Sequence, residues 1–172
     1  MWLGRWILLP GAMVVANILG GYGVGIGTQS WTPAQRAALE ADVRQFASTV
    51  AKDITAEGPL AWRKHFSNSP NFFMAVNGHM EFADSEAATK GIEDVARAFP
   101  HIQLRWGDDL RVDVLTPEFA MVAGTYHEVL TDPAGHSVKG DGFFTGVAEH
   151  RAGQWTFRNA HWSAPVPPPA DR

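Results

Sequence analysis

The 172-residue chain carries 14 Lys and Arg against 18 Asp and Glu, a formal charge of −4, and it has no cysteine. The length suits one domain with a core plus an appendage, and the acidic balance argues against a nucleic-acid partner. The lack of cysteine excludes disulfides, thiolate metal sites and a cysteine nucleophile.

An uncharged stretch separates the N-terminus from the rest of the sequence. No charged residue occurs between Arg5 and Arg36, and residues 6–26 are mostly apolar. We interpret residues 1–27 as a signal peptide cleaved after Gly27, which predicts export to the periplasm or secretion. The alternative is an uncleaved membrane anchor formed by residues 6–26, and membrane contact is expected only in that case.

Two helices are predicted next. Thr32 can cap a helix, Pro33 suits its first turn and Gln35 completes a capping box. Apolar residues then recur every three or four positions, which predicts one buried stripe: Leu39, Val43, Phe46, Val50 and Ile54. Gly58-Pro59 interrupts this pattern. A short second helix over residues 60–66 would place Trp62 and Phe66 on one face.

A small hairpin and a third helix follow. Asn77-Gly78 lies between two short apolar runs and is typical of a type I′ turn, in which both residues have positive φ. Asp84 or Ser85 then caps a helix that Pro100 ends. Its buried stripe is predicted to comprise Ala88, Ile92, Val95 and Phe99.

From His101 onward, apolar residues alternate with polar ones, as in strands. Residues 102–114 form either one bent strand or two. Three long strands follow, joined by turns at Asp132–Gly135 and Arg151–Gly153. The proline-rich residues 166–172 are predicted to be a disordered tail.

Strand register decides which side chains share a face. A three-residue turn at Arg151–Gly153 would pair His150 with Gln154. One face then comprises Phe143, Thr145, Val147, Trp155, Phe157 and His161, with Tyr126 and Glu128. The other comprises Gly142, Phe144, Gly146, Ala148, Ala160 and Trp162, with Thr125 and His127.

The element order and several motifs resemble the nuclear transport factor 2-like superfamily, within the group of SnoaL-like domains. The resemblance covers residues 32–165. The motifs that carry it are Gly58-Pro-Leu-Ala-Trp62, the Asn77-Gly78 hairpin, Gly124-x-Tyr-x-Glu128 and the ending Gly153-Gln-Trp-Thr-Phe-Arg-Asn-Ala-His-Trp-Ser-Ala-Pro165.

This resemblance implies an α+β, cystatin-like fold, in which a curved antiparallel sheet and three N-terminal helices form a cone with an internal pocket. It also implies a homodimer through the sheet. By the same comparison, the face with Phe144 and Trp162 lines the pocket, while the opposite assignment stays open. Family chemistry ranges over isomerases, cyclases, dehydratases and members without known activity, so the fold does not specify the reaction.

Several side chains are candidates for the site. The predicted ligand-binding residues are Trp62, Phe66, Phe73, Thr125, His127, Phe144 and Trp162, although aromatic residues at such spacing also fill cores. The catalytic candidates are His127 and His161, because histidine exchanges protons near neutral pH, but a structural histidine is an equal alternative. Glu128 is interpreted as a cross-strand charge partner of Lys139. No metal site and no cofactor is predicted.

Three functions are compatible with these features. The leading hypothesis is an exported domain that binds a small apolar or aromatic molecule in an aromatic-lined pocket, with no assignable catalytic set. The first alternative is an enzyme similar to SnoaL proteins or ketosteroid isomerase, with a pocket histidine as general acid or base. The second is a dimeric assembly module.

Overall fold

The structure, a computed structural model, describes residues 31–165. The predicted signal peptide or anchor at residues 1–27 and the predicted tail at residues 166–172 lie outside the described residues. Within residues 31–165, no helix is both long enough and apolar enough to cross a membrane.

Helix α1 comprises Pro33–Glu57 and begins with the predicted capping box. The Gln35 backbone N–H donates to Thr32 Oγ1 at 3.2 Å, and the Thr32 N–H donates to Gln35 Oε1 at 3.0 Å. Two of the otherwise unpaired N–H groups at this helix end are thereby satisfied. One face of α1 is buried through Val43, Phe46, Ala47, Val50 and Ile54, largely the predicted stripe.

The other helices are shorter. A 3-10 turn at Pro59–Ala61 leads into α2, Trp62–His65, which ends because Phe66 has an extended backbone. Helix α3 comprises Ser85–Ala98, and the Asp84 side chain accepts a hydrogen bond from the Ala87 N–H at 2.8 Å. Asp84 is therefore the cap, one of the two residues predicted for that role.

Seven strands form one sheet. They are β1 Phe73–Val76, β2 His79–Phe82, β3 His101–Trp106, β4 Arg111–Thr116, β5 Phe119–Thr131, β6 Ser137–Arg151 and β7 Gln154–Ser163. The strand order is β2-β1-β7-β6-β5-β3, with β4 also paired to β5. The predicted α+β fold with a curved sheet is confirmed, and its strands pair antiparallel except β1 and β7, which are parallel.

The stretch that could have been one bent strand is two strands, and both pair with β5. Between them, the Gly107 N–H donates to the Thr125 carbonyl at 2.8 Å. The Asp109 carboxylate accepts from the Thr125 backbone N–H at 2.9 Å and from its hydroxyl at 2.7 Å. At this break no neighbouring strand within residues 31–165 accepts the Thr125 backbone N–H of β5, and the Asp109 carboxylate accepts it instead.

All three helices pack on one face of the sheet, here called the inner face; the opposite face is the outer face. The inner face carries Phe144, Ala148, Ala160 and Trp162, which are buried in the core. The expectation that this set faces the interior is confirmed. Burial of these apolar groups against α1 and α2 supplies the main driving force for packing the layers together.

The predicted faces of β5 are reversed. Thr131 pairs with Ser137, so the β5–β6 turn contains five residues, Asp132 to His136, and includes His136. The Asp132 carboxylate accepts hydrogen bonds from the backbone N–H groups of Ala134 and His136 at 2.9 and 2.8 Å. This extra residue places Tyr126 and Glu128 on the inner face, whereas Thr125 and His127 lie on the outer face.

The predicted β6–β7 register is also wrong, because of two shifts of one residue each. The turn contains only Ala152 and Gly153, with φ of 51° and 80°, and Arg151 pairs with Gln154. A bulge between Val147 and Ala148 then shifts the pairing by one more residue. The two shifts add to two residues, so Trp162 lies opposite Phe144 rather than Gly142, as the predicted register implies, but keeps its predicted face. Only the first shift applies to Phe157, which pairs with Ala148 rather than Val147 and is fully buried on the inner face.

Replacing Phe157 with alanine is expected to lower the free energy of unfolding by about 3–5 kcal/mol, because it leaves a cavity in the core. Phe143→Ala is the matched control. That side chain is 42% exposed on the outer face, and its loss is expected to cost less than about 1 kcal/mol. Urea unfolding of both variants measures the difference. Equal costs would contradict the described register.

Candidate functional site

A cavity of about 390 Å³ lies between the inner face of the sheet, the β1–β2 hairpin and α3. We call it the central cavity. Its lining is mostly apolar, with four side chains that carry carboxyl, amide or hydroxyl groups: Asn77, Glu81, Tyr126 and Glu128. The other lining residues are Pro59, Trp62, Phe66, Met74, Val76, Phe82, Ile92, Val95, Ile102, Leu130, Gly140, Trp162 and Ala164.

Aromatic rings form one wall of the central cavity. Trp62 stacks on Phe66 with ring centroids 4.8 Å apart, and its edge meets Trp162 at 5.6 Å. Tyr126 packs edge-to-face against Trp162 at 4.7 Å. These contacts connect the helical side to β5 and β7, and mutual edge and face packing holds the rings in place.

Glu128 is the most perturbed ionisable group in the described part of the chain. Its half-buried side chain lines the central cavity, and no hydrogen bond or ion pair to it is formed within residues 31–165. Burial raises the pKa of Glu128 from its ordinary 4.5 to about 7, and the nearby negative charge of Asp141 adds to the effect. The carboxyl therefore changes charge near neutral pH.

Two glycines make room for the polar groups of β5. Gly140 lies opposite Glu128 and Gly142 lies opposite Tyr126. A Cβ atom at position 140 would lie 2.8 Å from Glu128 Oε1. One at position 142 would clash with the Ser163 carbonyl oxygen and would lie 2.7 Å from the Tyr126 hydroxyl oxygen. Any other residue would therefore displace the carboxyl at position 140, and the β7 backbone or the phenol at position 142.

Tyr126 supplies an uncharged hydroxyl to the site. The residue is only 5% exposed, and no hydrogen bond to its hydroxyl is found between residues 31 and 165. Burial raises the pKa of Tyr126, with smaller contributions from Glu128 and Asp141, so the phenol stays protonated at neutral pH. By contrast, the Asn77 amide oxygen is already used, because it accepts the Ala164 N–H at 2.7 Å.

Three of the predicted ligand-binding residues, Trp62, Phe66 and Trp162, line the central cavity. Phe144 lies on the inner face but is completely buried under Trp162, with ring centroids 4.7 Å apart. That position makes it a packing residue behind the aromatic wall. Whether the three lining aromatics contact a ligand stays a prediction.

The other predicted site residues lie on the outer face. Phe73 is 41% exposed there, and it is the preceding residue, Phe72, that is buried against Phe66. Thr125 and His127 are placed there by the β5–β6 turn, and His161 pairs with Thr145 on the same face. The expected placement of Thr125 and His127 with the pocket-lining set is therefore wrong.

His127 has a partner on the outer face. Its Nδ1 lies 2.7 Å from Asp141 Oδ1, at the edge of a shallow groove of about 400 Å³ that Phe143 and Ser163 also line. The pair is open to solvent, with the His127 side chain 42% exposed. The carboxylate can orient the imidazole, but this groove lacks the enclosure and the aromatic wall of the central cavity.

The expected Glu128–Lys139 charge pair is absent from the described chain. Lys139 pairs with Val129 and lies on the outer face, while Glu128 pairs with Gly140 and faces inward. Sequence reasoning therefore missed Glu128 as a cavity residue. The pattern Tyr126-x-Glu128 opposite Gly140-x-Gly142 carried a signal, because two polar side chains facing two glycines indicate room reserved for them.

Comparison with known proteins gives a fold but no close relative. No protein-family model matches the sequence, and no curated protein matches it. Among solved structures, a nuclear transport factor 2-like superfamily protein from Salmonella enterica is 13% identical, with a TM-score of 0.64. The alignment covers 76% of this chain and 93% of that one.

Two further structures are similar. A candidate scytalone dehydratase from Novosphingobium aromaticivorans has a TM-score of 0.67 at 11% identity, covering 77% of this chain and 89% of that one. A candidate calcium/calmodulin-dependent protein kinase II association domain from Xanthomonas campestris has a TM-score of 0.62 at 22% identity, covering 80% and 94%. The chain thus has the nuclear transport factor 2-like fold, which hosts varied functions and does not specify one.

The raised pKa of Glu128 has a consequence for stability. Between about pH 4.5 and about pH 7 the unfolded chain loses this proton while the folded chain keeps it. Stability present below pH 4.5 is therefore lost as pH rises, by up to about 3 kcal/mol at pH 7 and above. Glu128→Gln is expected to remove this loss, as measured by denaturant unfolding at a series of pH values.

Glu86→Gln is the control for that series, because it removes an exposed carboxyl on α3. The difference in unfolding free energy between wild type and Glu128→Gln should grow with pH, and by more than the corresponding difference for Glu86→Gln. If the difference in unfolding free energy between wild type and Glu128→Gln stays constant from acid to neutral pH, the conclusion that the Glu128 carboxylate lacks a stabilising partner is wrong.

Proposed function

We propose that the protein binds a small, mostly apolar molecule in the central cavity. The observation that carries this proposal is an aromatic-walled cavity of about 390 Å³ with three unoccupied polar groups on its wall, Glu81, Tyr126 and Glu128. Ligand sites typically measure about 300–1,000 Å³ and combine apolar lining with a few polar groups that fix orientation. The nuclear transport factor 2-like fold is compatible with this function.

A reaction with a histidine as acid or base has less support. His127 and His161 both lie on the outer face, and no histidine belongs to the lining of the central cavity as described. Proton transfer in the cavity would have to use Glu81, Tyr126 or Glu128. No hydrogen bond joins any two of these groups, so an oriented acid–base pair is not assembled there. Binding requires no such pair.

The proposal predicts that aromatic ligands change the fluorescence of Trp62 and Trp162 and raise the melting temperature. Val95→Phe fills part of the central cavity from α3 and is expected to weaken binding at least tenfold by excluding ligand volume. A fluorescence titration with naphthalene and indole derivatives measures the effect. Absence of any spectral change or thermal shift across such a panel would defeat the proposal.

Val129→Phe is the matched control. It makes the same chemical change next to Glu128 but on the outer face, where Val129 pairs with Lys139. Binding to this variant should equal binding to the wild type. Circular dichroism and the melting temperature of both ligand-free variants separate a filled cavity from a destabilised fold.

We also propose a homodimer through the outer face, on the basis of one separate observation. A row of side chains crosses four strands there, from Met121 on β5 through Val147 and Asn159 to Phe73 on β1. Met121, Phe73 and the neighbouring Phe143 are 45%, 41% and 42% exposed. A surface with several exposed large apolar side chains favours coverage by another surface, and a second copy presents the same one.

Phe143→Glu is expected to convert the dimer to a monomer, because it places a desolvated charge in the contact. Leu60→Glu introduces the same charge at another exposed apolar position, in the Pro59–Ala61 turn away from the sheet, and should leave the dimer intact. Sedimentation velocity over a concentration series distinguishes the two masses. A wild-type protein that stays monomeric at high concentration would rule out the dimer.

A further inference from the structure

The charged side chains that line the central cavity are all acidic. Its lining has two carboxyl groups, Glu81 on β2 and Glu128 on β5, and no lysine, arginine or histidine. Neither carboxyl forms an ion pair with any residue in the described range. A ligand that enters therefore meets hydrogen-bond acceptors and negative charge, without a protein cation to neutralise them.

The Glu128 carboxyl faces the central cavity from β5. It lies above Gly140, with Leu104 opposite it on β3 and Leu130 two residues along β5. On the cavity side of α3, the lining residues are Ile92 and Val95, which offer no hydrogen bond. Within residues 31–165 no protein group donates to the carboxylate, so a ligand or water can satisfy it.

A second feature of the same wall is independent of the carboxyl groups. Tyr126 is only 5% exposed, its hydroxyl forms no hydrogen bond within residues 31–165, and its ring packs edge-to-face against Trp162. Faces of such rings attract cations, most strongly where water is excluded. The phenol oxygen can also accept a hydrogen bond from a ligand N–H group.

We propose that the molecule bound in the central cavity is an apolar amine, whose ammonium group lies between the Glu128 carboxylate and the ring of Tyr126. A charge-assisted hydrogen bond from the ammonium satisfies the carboxylate. A neutral apolar ligand would instead bury that carboxylate without a partner, and an anionic ligand would be repelled by both carboxyls. The inference rests on the proposed function, since it concerns the same cavity.

Binding should then depend on pH. The charged and titratable groups around Glu128 are Tyr126 on its own strand, Asp141 on β6 and Glu81 on β2, and none of them is cationic. Amine affinity rises as Glu128 loses its proton around pH 7 and falls when the amine itself deprotonates. The affinity of a neutral ligand should not rise over this pH range, because such a ligand gains nothing from the ionised carboxylate.

Three probes with one framework test the inference: 2-phenylethylamine, 2-phenylethanol and phenylacetate, each also as its naphthyl counterpart. Calorimetry at about pH 8.5 and about pH 5.5 brackets the pKa of Glu128. At the higher pH the amine should bind the wild type at least about tenfold more tightly than the alcohol, and the carboxylate most weakly. At the lower pH this preference should largely disappear.

Variants assign the preference to one group. Glu128→Gln keeps the shape of the side chain and should bind amine and alcohol equally, whereas Glu81→Gln should keep the preference for the amine. If alcohol and amine bind the wild type equally, the amine inference falls while the binding function stands. If no probe of either framework binds, both fall. Loss of the preference in Glu81→Gln alone would overturn the role of Glu128.

Discussion

Hydrogen bonds to the Asp132 carboxylate determine which side chains of the two longest strands face the helices. The backbone N–H groups of His136 and Ala134 both donate to it, and the His136 N–H contributes most to holding the pKa of Asp132 below its ordinary value. These contacts include His136 in the turn and pair Thr131 with Ser137. Side chains alternate along a strand. One residue more or fewer in the β5–β6 turn would therefore move the inward-facing side chains of β5 to the outer face, relative to those of β6.

The polar lining of the central cavity depends on this register of β5 and β6. With this register, Tyr126 and Glu128 project inward over Gly142 and Gly140, while His127 meets Asp141 on the outer face. The fold thereby separates two kinds of polar group. The hydrogen-bonded pair is exposed to solvent, and the unpaired carboxyl and phenol line the mostly apolar central cavity. Desolvation of Glu128 follows from this position and makes its protonation sensitive to pH near neutrality.

The sequence was sufficient to predict features that depend on local contacts. The capping box at Thr32, the buried stripe of α1 and the Asn77-Gly78 hairpin all follow from residue spacing and turn chemistry. Faces of the long strands were harder, because they depend on counting residues in turns. The Arg151–Gly153 region shows why: a turn one residue shorter moved Phe157 to the inner face, and a bulge at Val147 added a second shift that returned Trp162 to its predicted face. Desolvation of Glu128 could not be predicted, since it arises from residues distant in sequence.

The most direct test of the account is a carbon-13 NMR titration of the Glu128 side-chain carboxyl in the ligand-free protein, assigned by the signal that disappears in Glu128→Gln. A carboxyl enclosed in an apolar cavity without a partner should titrate with a midpoint near its raised pKa of about 7. A midpoint near the ordinary 4.5 would show that water or a cation already stabilises the carboxylate, and it would contradict the described environment.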